Sequence, residues 1–452
     1  MHTSPLSEDA VLQAAQQLAE ALEASDFKTP LTVLQDLKPG DVAQVVHTLS
    51  PPQRTTFVSH LWQHLDGEFF TYLDKNICEE LVPLIPPEGV AKMIHNLESD
   101  DAFSILDELS DMQKADVLEA MSRQERHRFE KFEHYPKESA ARMMQQEIVA
   151  VPAQWTVADV RRYLNTHKKG PHVFHNIFLV DKQWRLLGAV PLAKLVRASA
   201  NEALERLVEK DICALRASED REEIALNFKR YALIAAPVVD EDDRLLGVIT
   251  ADDVLNVVDQ EAEEDIMHLG GVGASDFYAP VVPTTLARFK WLLVTFFNTL
   301  LASMVIAQFQ DVLEKKVALA ILMPIVGAMG GNAGTQVVTV MVRAISTHEL
   351  TLLNMGRTLA KGTIVSLLNG ALFALILSVI TALWFQDPWL GVTLGSALLI
   401  NMVWAGVGGT LLPILVDHAG LDPALSAGPL LTTTTDVLGF AVFLGLANVF
   451  LF

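Results

Sequence analysis

Five long apolar runs in the last third of the chain, almost empty of charge, restrict its fold more than any other feature. They run from Trp291 to Phe309, Val317 to Val342, Gly362 to Phe385, Trp389 to Val416 and Pro423 to Phe452. About 20 apolar residues in a helix cross the hydrocarbon core of a bilayer, and each run is of that order or longer. Residues 281–452 hold seven Asp+Glu and seven Lys+Arg, whereas residues 1–280 hold 48 and 27, so the net charge of −21 belongs wholly to the first part. This division predicts an acidic water-soluble module joined to a membrane module. An odd number of spans places the two ends of the chain on opposite sides. Grouping Arg288, Lys290, Arg343, Arg357 and Lys361 on one side leaves Lys315 and Lys316 for the other, which predicts a cytoplasmic soluble module and an external C-terminus. Trp291, Trp384 and Trp389 fall near span ends, where an aromatic belt would hold them.

A strongly acidic module is repelled by phosphate backbones and anionic lipid, which excludes nucleic acid as a partner and favours cations. Cys78 and Cys213 stand in different segments without metal-ligand spacing and read as small buried hydrophobes in a reducing compartment. The opening MHTSPLSEDAVLQ lacks the basic and apolar regions of a secretory signal. No Walker-type phosphate loop and no nucleophile–base pair in a suitable context is present, so an enzyme is not expected.

Within the apolar runs Asp436, in TTTTDVLGF, is the single ionisable side chain at depth. A carboxylate at a helix centre costs about 2.5 to 3.5 kcal/mol on insertion scales, and no Lys or Arg lies at similar depth to offset it. Its partner is therefore a cation from outside the chain, unless the residue is neutral and bonded to a neighbouring helix. Thr432 and Thr433 precede it by four and three residues and Gly439 follows by three, gathering hydroxyls and a small residue on one helical face. The second run, PIVGAMGGNAGTQVVTV from Pro324 to Val340, is also unusual. Pro324 and the glycines 327, 330, 331 and 334 permit either local unwinding or close helix approach. Asn332, Thr335, Gln336 and Thr339 follow helical spacing, a polar stripe that either lines a wet path or rides on a small-residue packing seam.

These groups suit a hard, reluctantly dehydrated divalent cation such as Mg2+, which keeps several waters and takes one or two carboxylates. Cobalt, manganese or zinc is the alternative cargo, but softer metals favour imidazole or thiolate, and the spans contain no His or Cys. A non-conducting, membrane-anchored nucleotide sensor is a second alternative, and it has no need for an unpaired Asp436.

An internal repeat with a spacing of 59 residues joins LVDKQWRLLGAVPLAKL, from Leu179, to VVDEDDRLLGVITADDVL, from Val238. Asp181 aligns with Asp240, Arg185 with Arg244 and Gly188 with Gly247, predicting strand, turn, strand and helix in each copy. The pair resembles tandem cystathionine-beta-synthase (CBS) domains, which bind adenosine nucleotides through a Gly-x-x-Thr-x-x-Asp stretch. Gly247, Thr250 and Asp253 match it in the second copy, whereas the first has Pro191 and Lys194. Before the repeat, Thr29 to Tyr135 reads as short helices separated by LSPPQ, LIPPEG and LESDD, preceded by one amphipathic helix of no evident purpose. After the repeat, DDVLNVVDQEAEEDIMHLGG places Glu261, Glu264, Asp265 and His268 on one helical face. This is either a solvated surface or an acidic helix whose repulsion from other carboxylates is relieved by divalent cations. Asp100, Asp101, Asp240 and Asp242 are further candidates.

Taken together, GGNAGTQ at 330–336, LDPALSAGPLLTTTTDVLG from Leu421 to Gly439 and DDVLNVVDQEAEEDI make the chain resemble the MgtE family of magnesium channels and transporters, from about Thr29 onward. The resemblance implies a multi-domain membrane protein: an extension at 1–28, a helical superhelical domain at 29–137, an α/β tandem CBS pair at 138–260, a connecting plug helix and linker at 261–283, and an all-α transmembrane pore domain with five helices per subunit at 284–452. It also implies a homodimer in the bacterial inner membrane. Asp436 would hold the hydrated ion, with Asn332, Thr335 and the backbone around Gly331 assisting. Cytosolic Mg2+ among Asp100, Asp101, Asp253, Glu261, Glu264 and Asp265 would favour closure, and ATP at the CBS pair would tune it. A departure is ESAARMM, with Ala141 where the family often has Gly.

Overall fold

The computed structural model describes residues 8–35, 37–166, 171, 173–273, 278–351 and 353–452. The chain divides into two compact units, the first ending at Glu261 and the second starting at Ala262.

Among the described residues the first unit opens with nine α-helices: α1 (Glu8–Glu23), α2 (Lys28–Gln35), α3 (Pro39–Thr48), α4 (Pro51–Leu61), α5 (Lys75–Leu81), α6 (Pro87–Ile94), α7 (Ser99–Asp107), α8 (Asp111–Ala120) and α9 (Arg123–Phe132). Their starts are written in the sequence. Ser50, Ser110 and Ser122 each form a reciprocal capping box with the residue three further on, and Pro occupies the first turn of α3, α4 and α6. Between the caps, Phe57, Leu61, Phe69, Ile77, Leu81, Phe103 and Leu106 form a closed core. Helix α1 has a structural purpose that its sequence did not reveal: Val11, Ala15, Leu18 and Leu22 are buried against the following helices.

A short helix α10 (Ala140–Met143) leads into the repeat, whose copies fold alike. The first contains β1 (Ala150–Pro152), α11 (Val157–Thr166), β2 (Asn176–Val180), β3 (Leu186–Pro191) and α12 (Leu192–Arg197). The second contains β4 (Leu215–Arg216), α13 (Arg221–Tyr231), β5 (Ala235–Val239), β6 (Leu245–Thr250) and α14 (Ala251–Leu269). Each sheet has a parallel first pair and an antiparallel second pair, with equivalent register: Leu179 faces Gly188 as Val238 faces Gly247. The turns also correspond. Asp181 Oδ1 accepts from the Gln183 and Arg185 amides, and Asp240 Oδ1 from those of Asp242 and Arg244.

The second unit contains the remainder of α14, then α15 (Val281–Ala307), a short α16 (Gln310–Lys315), α17 (Ala318–Ser346), α18 (Met355–Phe385), α19 (Pro388–His418) and α20 (Pro423–Phe450). Apart from α16, the helices from α15 onward are long and apolar enough to cross a bilayer. Helices α15 and α18 begin ahead of their apolar runs and α17 and α19 end beyond theirs, whereas α15 stops at Ala307, short of Phe309, and α20 at Phe450, short of Phe452. Helix α19 is the most enclosed, packing against α17, α18 and α20. The core between them is built from Leu319, Leu322, Val326, Leu394, Phe443 and Leu444. By contrast, Leu292, Phe296 and Phe297 of α15 and Leu372, Leu375 and Leu383 of α18 are exposed, an outward apolar surface suited to lipid.

Candidate functional site

Of the alternatives open for the second apolar run, the protein adopts close approach. Helix α17 continues without a break through Pro324 and all its glycines. A Cβ on Gly327 would stand 3.1 Å from Asp436 Oδ1 and 3.3 Å from the Phe440 ring, so a hydrogen there lets α17 and α20 close around the carboxylate. Asp436 is half-buried, and no ion pair or hydrogen bond to it is found among the described residues. One turn along α17 from Gly327, Gly331 faces open space. Asn332, Thr335, Gln336 and Thr339 are all exposed on the isolated subunit, which places the expected polar stripe on an outward face.

The hydroxyls of this region present oxygen rather than hydrogen. Thr335 donates to Gly331 O, Thr339 to Thr335 O, Thr432 to Gly428 O and Thr433 to Pro429 O, at 2.7–3.0 Å. With its proton spent on the backbone, each hydroxyl offers lone pairs, the polarity a cation or the oxygens of its hydration shell with their outward hydrogens would meet. Thr434 and Thr435 act differently: Thr434 accepts from Trp404 Nε1 of α19 at 3.1 Å, and Thr435 is fully buried.

Asn401 of α19 was not singled out in the sequence. It is fully buried, and its Nδ2 donates to Val326 O at 3.1 Å while Oδ1 has no partner. A Cβ on Gly330 or Gly439 would overlap its amide, so three helices meet on this side chain. The signal was present as an amide inside the apolar stretch LLINMVWAG, but attention to ionisable groups passed over it.

Each unit also carries acidic groups of its own. In the first unit Asp100 and Asp101 stand in the first turn of α7, and Asp253 in that of α14. Gln145 Nε2 lies 3.5 Å from Asp100 Oδ2 and 3.4 Å from Asp253 Oδ2, and Asp253 accepts from Thr250 Oγ1 at 2.7 Å. Burial, reinforced by the Asp253 and Asp101 carboxylates, pushes the Asp100 carboxyl up to about 8, and its Oδ1 is buried without a partner. Burial and Asp253 push Asp101 up to about 7, and burial with Asp252 raises Asp253. Carboxylates forced together in this way are stabilised by an added cation. They approach pairwise: among the described residues no three Asp, Glu, His or Cys side chains converge as a preformed ligand set.

The acidic face of α14 is divided in its use. Glu261 forms an ion pair with Arg221, so its charge is already compensated. In the second unit, Asp265 Oδ2 accepts from Ser346 Oγ at 3.0 Å, at the end of α17. His268 Nδ1 lies 2.6 Å from Asp422 Oδ2, and Glu264 is 3.8 Å from the other ring nitrogen. Asp422 caps α20 by accepting from the Ala424 amide at 2.8 Å. The C-terminal part of α14 thus meets one end of both helices that frame Asp436, a contact absent from the sequence expectations.

The nucleotide motif residues are dispersed. Gly247 is covered by Met144 and Gln145, and Asp253 belongs to the acidic group. Thr250 lines a cleft of about 200 Å³ with Asp252, Phe174, His175 and Asn176, and a neighbouring cleft of about 490 Å³ shares its Phe174–Asn176 wall.

Comparison with known proteins accounts for this order of parts. Residues 323–446 match the MgtE family model, described as divalent cation transporter. Residues 37–138 match the MgtE intracellular N domain, and 140–201 and 202–260 match CBS domains. The magnesium transporter MgtE of Thermus thermophilus is 30% identical over 454 residues, covering 97% of this chain and 98% of that protein. The magnesium transporter MgtE of Bacillus subtilis is 27% identical over 427 residues, covering 94% of each. A crystal structure of the cytosolic domain of the Mg2+ channel MgtE in complex with ATP aligns with 54% of this chain and 99% of its own, at 27% identity and a TM-score of 0.49. With its parts in the same order and near-complete coverage of relatives, this chain is a multi-pass member of the MgtE family of divalent cation transporters.

Proposed function

We propose that this protein conducts Mg2+ across the bacterial inner membrane along a path beside Asp436, and that cytosolic Mg2+ bound to its acidic groups closes that path. The observation that carries the proposal is the Asp436 carboxylate, held against Gly327 within the apolar helices with no cationic partner among the described residues. A carboxylate in that setting is costly unless a cation or water reaches it. The hydroxyl lone pairs and the exposed Asn332 supply further oxygen for a hydrated ion, with Thr335 and the backbone at Gly331 nearby. A two-fold homodimer would bring two Asp436 carboxylates to one axis and match the charge of the ion. An inside-negative potential of 100 mV favours entry of a divalent cation by about 4.6 kcal/mol, so inward flow needs no coupled energy source. In this proposal the first unit and the end of α14 face the cytoplasm, and the C-terminus lies outside.

Closure follows from the acidic groups. Asp100, Asp101 and Asp253 repel one another until a divalent cation enters, and Glu264 and Asp265 offer charge where α14 meets Ser346 and Asp422. Glu261, held by Arg221, acts as a structural tie unless that pair opens. An adenosine nucleotide at the CBS pair fits the cleft of about 490 Å³ beside Phe174–Asn176, whereas the adjoining Thr250 cleft, at about 200 Å³, is below the usual size of ligand pockets, roughly 300–1,000 Å³.

Patch-clamp recording tests the proposal: cytosolic-side Mg2+ is stepped from near zero upward, with and without Asp436→Ala. Current that is present at low Mg2+, falls as it rises and vanishes in the variant supports the whole scheme. Wild-type current that persists in Asp436→Ala removes that residue from the path, and absence of current with folded protein in the membrane refutes conduction.

A further inference from the structure

A cleft of about 1240 Å³ in the first unit lies between α9, the end of α11 and the turns that follow β2 and β5. It abuts the Thr250 cleft at Ile148, Val149 and Phe174 but contains none of Gly247, Thr250 or Asp253. Its charge runs against that of the chain, which is −21 overall. His127, Arg128, Lys131, His134 and Arg244 line it, facing only two carboxylates, Glu147 and Asp240. Both carboxylates are engaged. Glu147 pairs with Arg128 and accepts from Ser99 Oγ, while Asp240 Oδ1 accepts two amides of its own turn. Lys131 touches the Phe132 ring at 5.0 Å and has no carboxylate partner among the described residues. Among the described residues the Arg244 guanidinium pairs only with Asp242, at 3.7 Å. Lys131 and Arg244 are therefore the cleft's weakly compensated cations.

Trp184 adds a second, independent observation. It stands in the left-handed backbone region, φ +64°, at the position that Asp243 fills in the other copy with φ +62°. That conformation suits Asp, Asn or Gly and strains a bulky residue. Yet the indole is 50% exposed, lines the cleft and meets no other ring among the described residues. The exposed half of this strained tryptophan is not covered by the protein. It is suited to stacking against a planar ligand, an interaction worth about 1 to 3 kcal/mol per base.

We propose that this cleft binds a nucleotide, with its base on Trp184 and its phosphates on Lys131 and Arg244, separately from the Thr250 cleft of the CBS pair. The phosphates compensate the two cations, and the volume exceeds the common range for small-ligand pockets, up to about 1,000 Å³. The binding reaction is independent of the transport scheme and is read without any flux.

The test uses full-length protein in detergent with Mg2+ chelated, following tryptophan fluorescence during titration with ATP. Wild type should show a saturable quench that Trp184→Phe abolishes. The Lys131→Glu, Arg244→Glu double variant should move the midpoint upward by about tenfold, equivalent to about 1.4 kcal/mol. Thr250→Val should leave the midpoint within about twofold, and tripolyphosphate should compete without quenching. Should charge reversal disturb folding, Lys131→Ala with Arg244→Ala gives the same direction. A quench that survives Trp184→Phe, a midpoint unmoved in both double variants, or quenching by adenosine that tripolyphosphate cannot displace overturns the proposal, as does the absence of a saturable quench in wild type.

Discussion

Asp100→Asn separates a carboxylate kept for ion sensing from one kept for folding. Asp100 is only 8% exposed and its carboxyl is pushed up to about 8, from an ordinary value near 3.8. The folded state therefore holds an extra proton across that interval, and stability falls as pH rises through it. At 1.36 kcal/mol per unit, the shift corresponds to about 6 kcal/mol lost by the time the group is fully charged, as an upper bound. Asp101 titrates near 7, so the slope above pH 7 belongs mainly to Asp100. Asparagine keeps an acceptor for Gln145 and removes the charge. The assay is hydrogen exchange of α7 amides in the full-length protein, corrected for intrinsic rate, between pH 7 and 8.5 with EDTA or with Mg2+. Wild-type protection should decline with pH in EDTA, and Mg2+ at a hundred times its dissociation constant should restore about 2.7 kcal/mol. The variant should be more protected in EDTA at pH 8.5, decline less with pH and gain less from Mg2+. Equal slopes and an equal response to Mg2+ in the two proteins would refute the argument that Asp100 is a strained carboxylate awaiting a cation.

Four other substitutions address the second unit. Gly330→Ala should cost about 1 to 3 kcal/mol in the detergent-solubilised protein, because its Cβ overlaps the Asn401 amide, and a thermal-stability assay showing no loss would mean that α17 and α19 separate freely. Trp404→Phe removes the donor to Thr434 while retaining an aromatic ring, so stability should drop by about 0.6 kcal/mol with unaltered ion preference in flux competition. Asp265→Asn keeps an acceptor for Ser346 but removes charge, whereas Ser346→Ala removes the bond and leaves the charge. If closure senses charge, recordings should show the Mg2+ needed for half-closure rising in Asp265→Asn and hardly moving in Ser346→Ala.

What could be read in advance depended on whether a feature has a local cause. A transmembrane span is a local property, since some 20 apolar residues in a row have few alternatives, and all five spans appear as helices. The repeat was legible for a similar reason: an Asp that accepts two amides shapes its own turn, and it does so at Asp181 and at Asp240. The multi-helix junction at Asn401 is not local. It unites Val326, Gly330 and Gly439 through distant chain segments, and each residue alone looks like an ordinary small or apolar membrane residue. The same holds for His268 with Asp422 and for Arg221 with Glu261, pairings that α14 alone does not announce. Gly247 shows what local spacing leaves open. Its spacing to Thr250 and Asp253 fits a nucleotide motif, but its open face is filled by Met144 and Gln145, and Asp253 points its carboxylate toward Gln145 and Asp100. Spacing determines which residues share one end of a strand and helix, and the neighbouring chain determines what they meet there. That is why Trp184, outside the Gly-x-x-Thr-x-x-Asp stretch, carries more of the argument for a nucleotide than that stretch does: its turn holds it in a left-handed backbone and its ring is left half exposed by the fold around it.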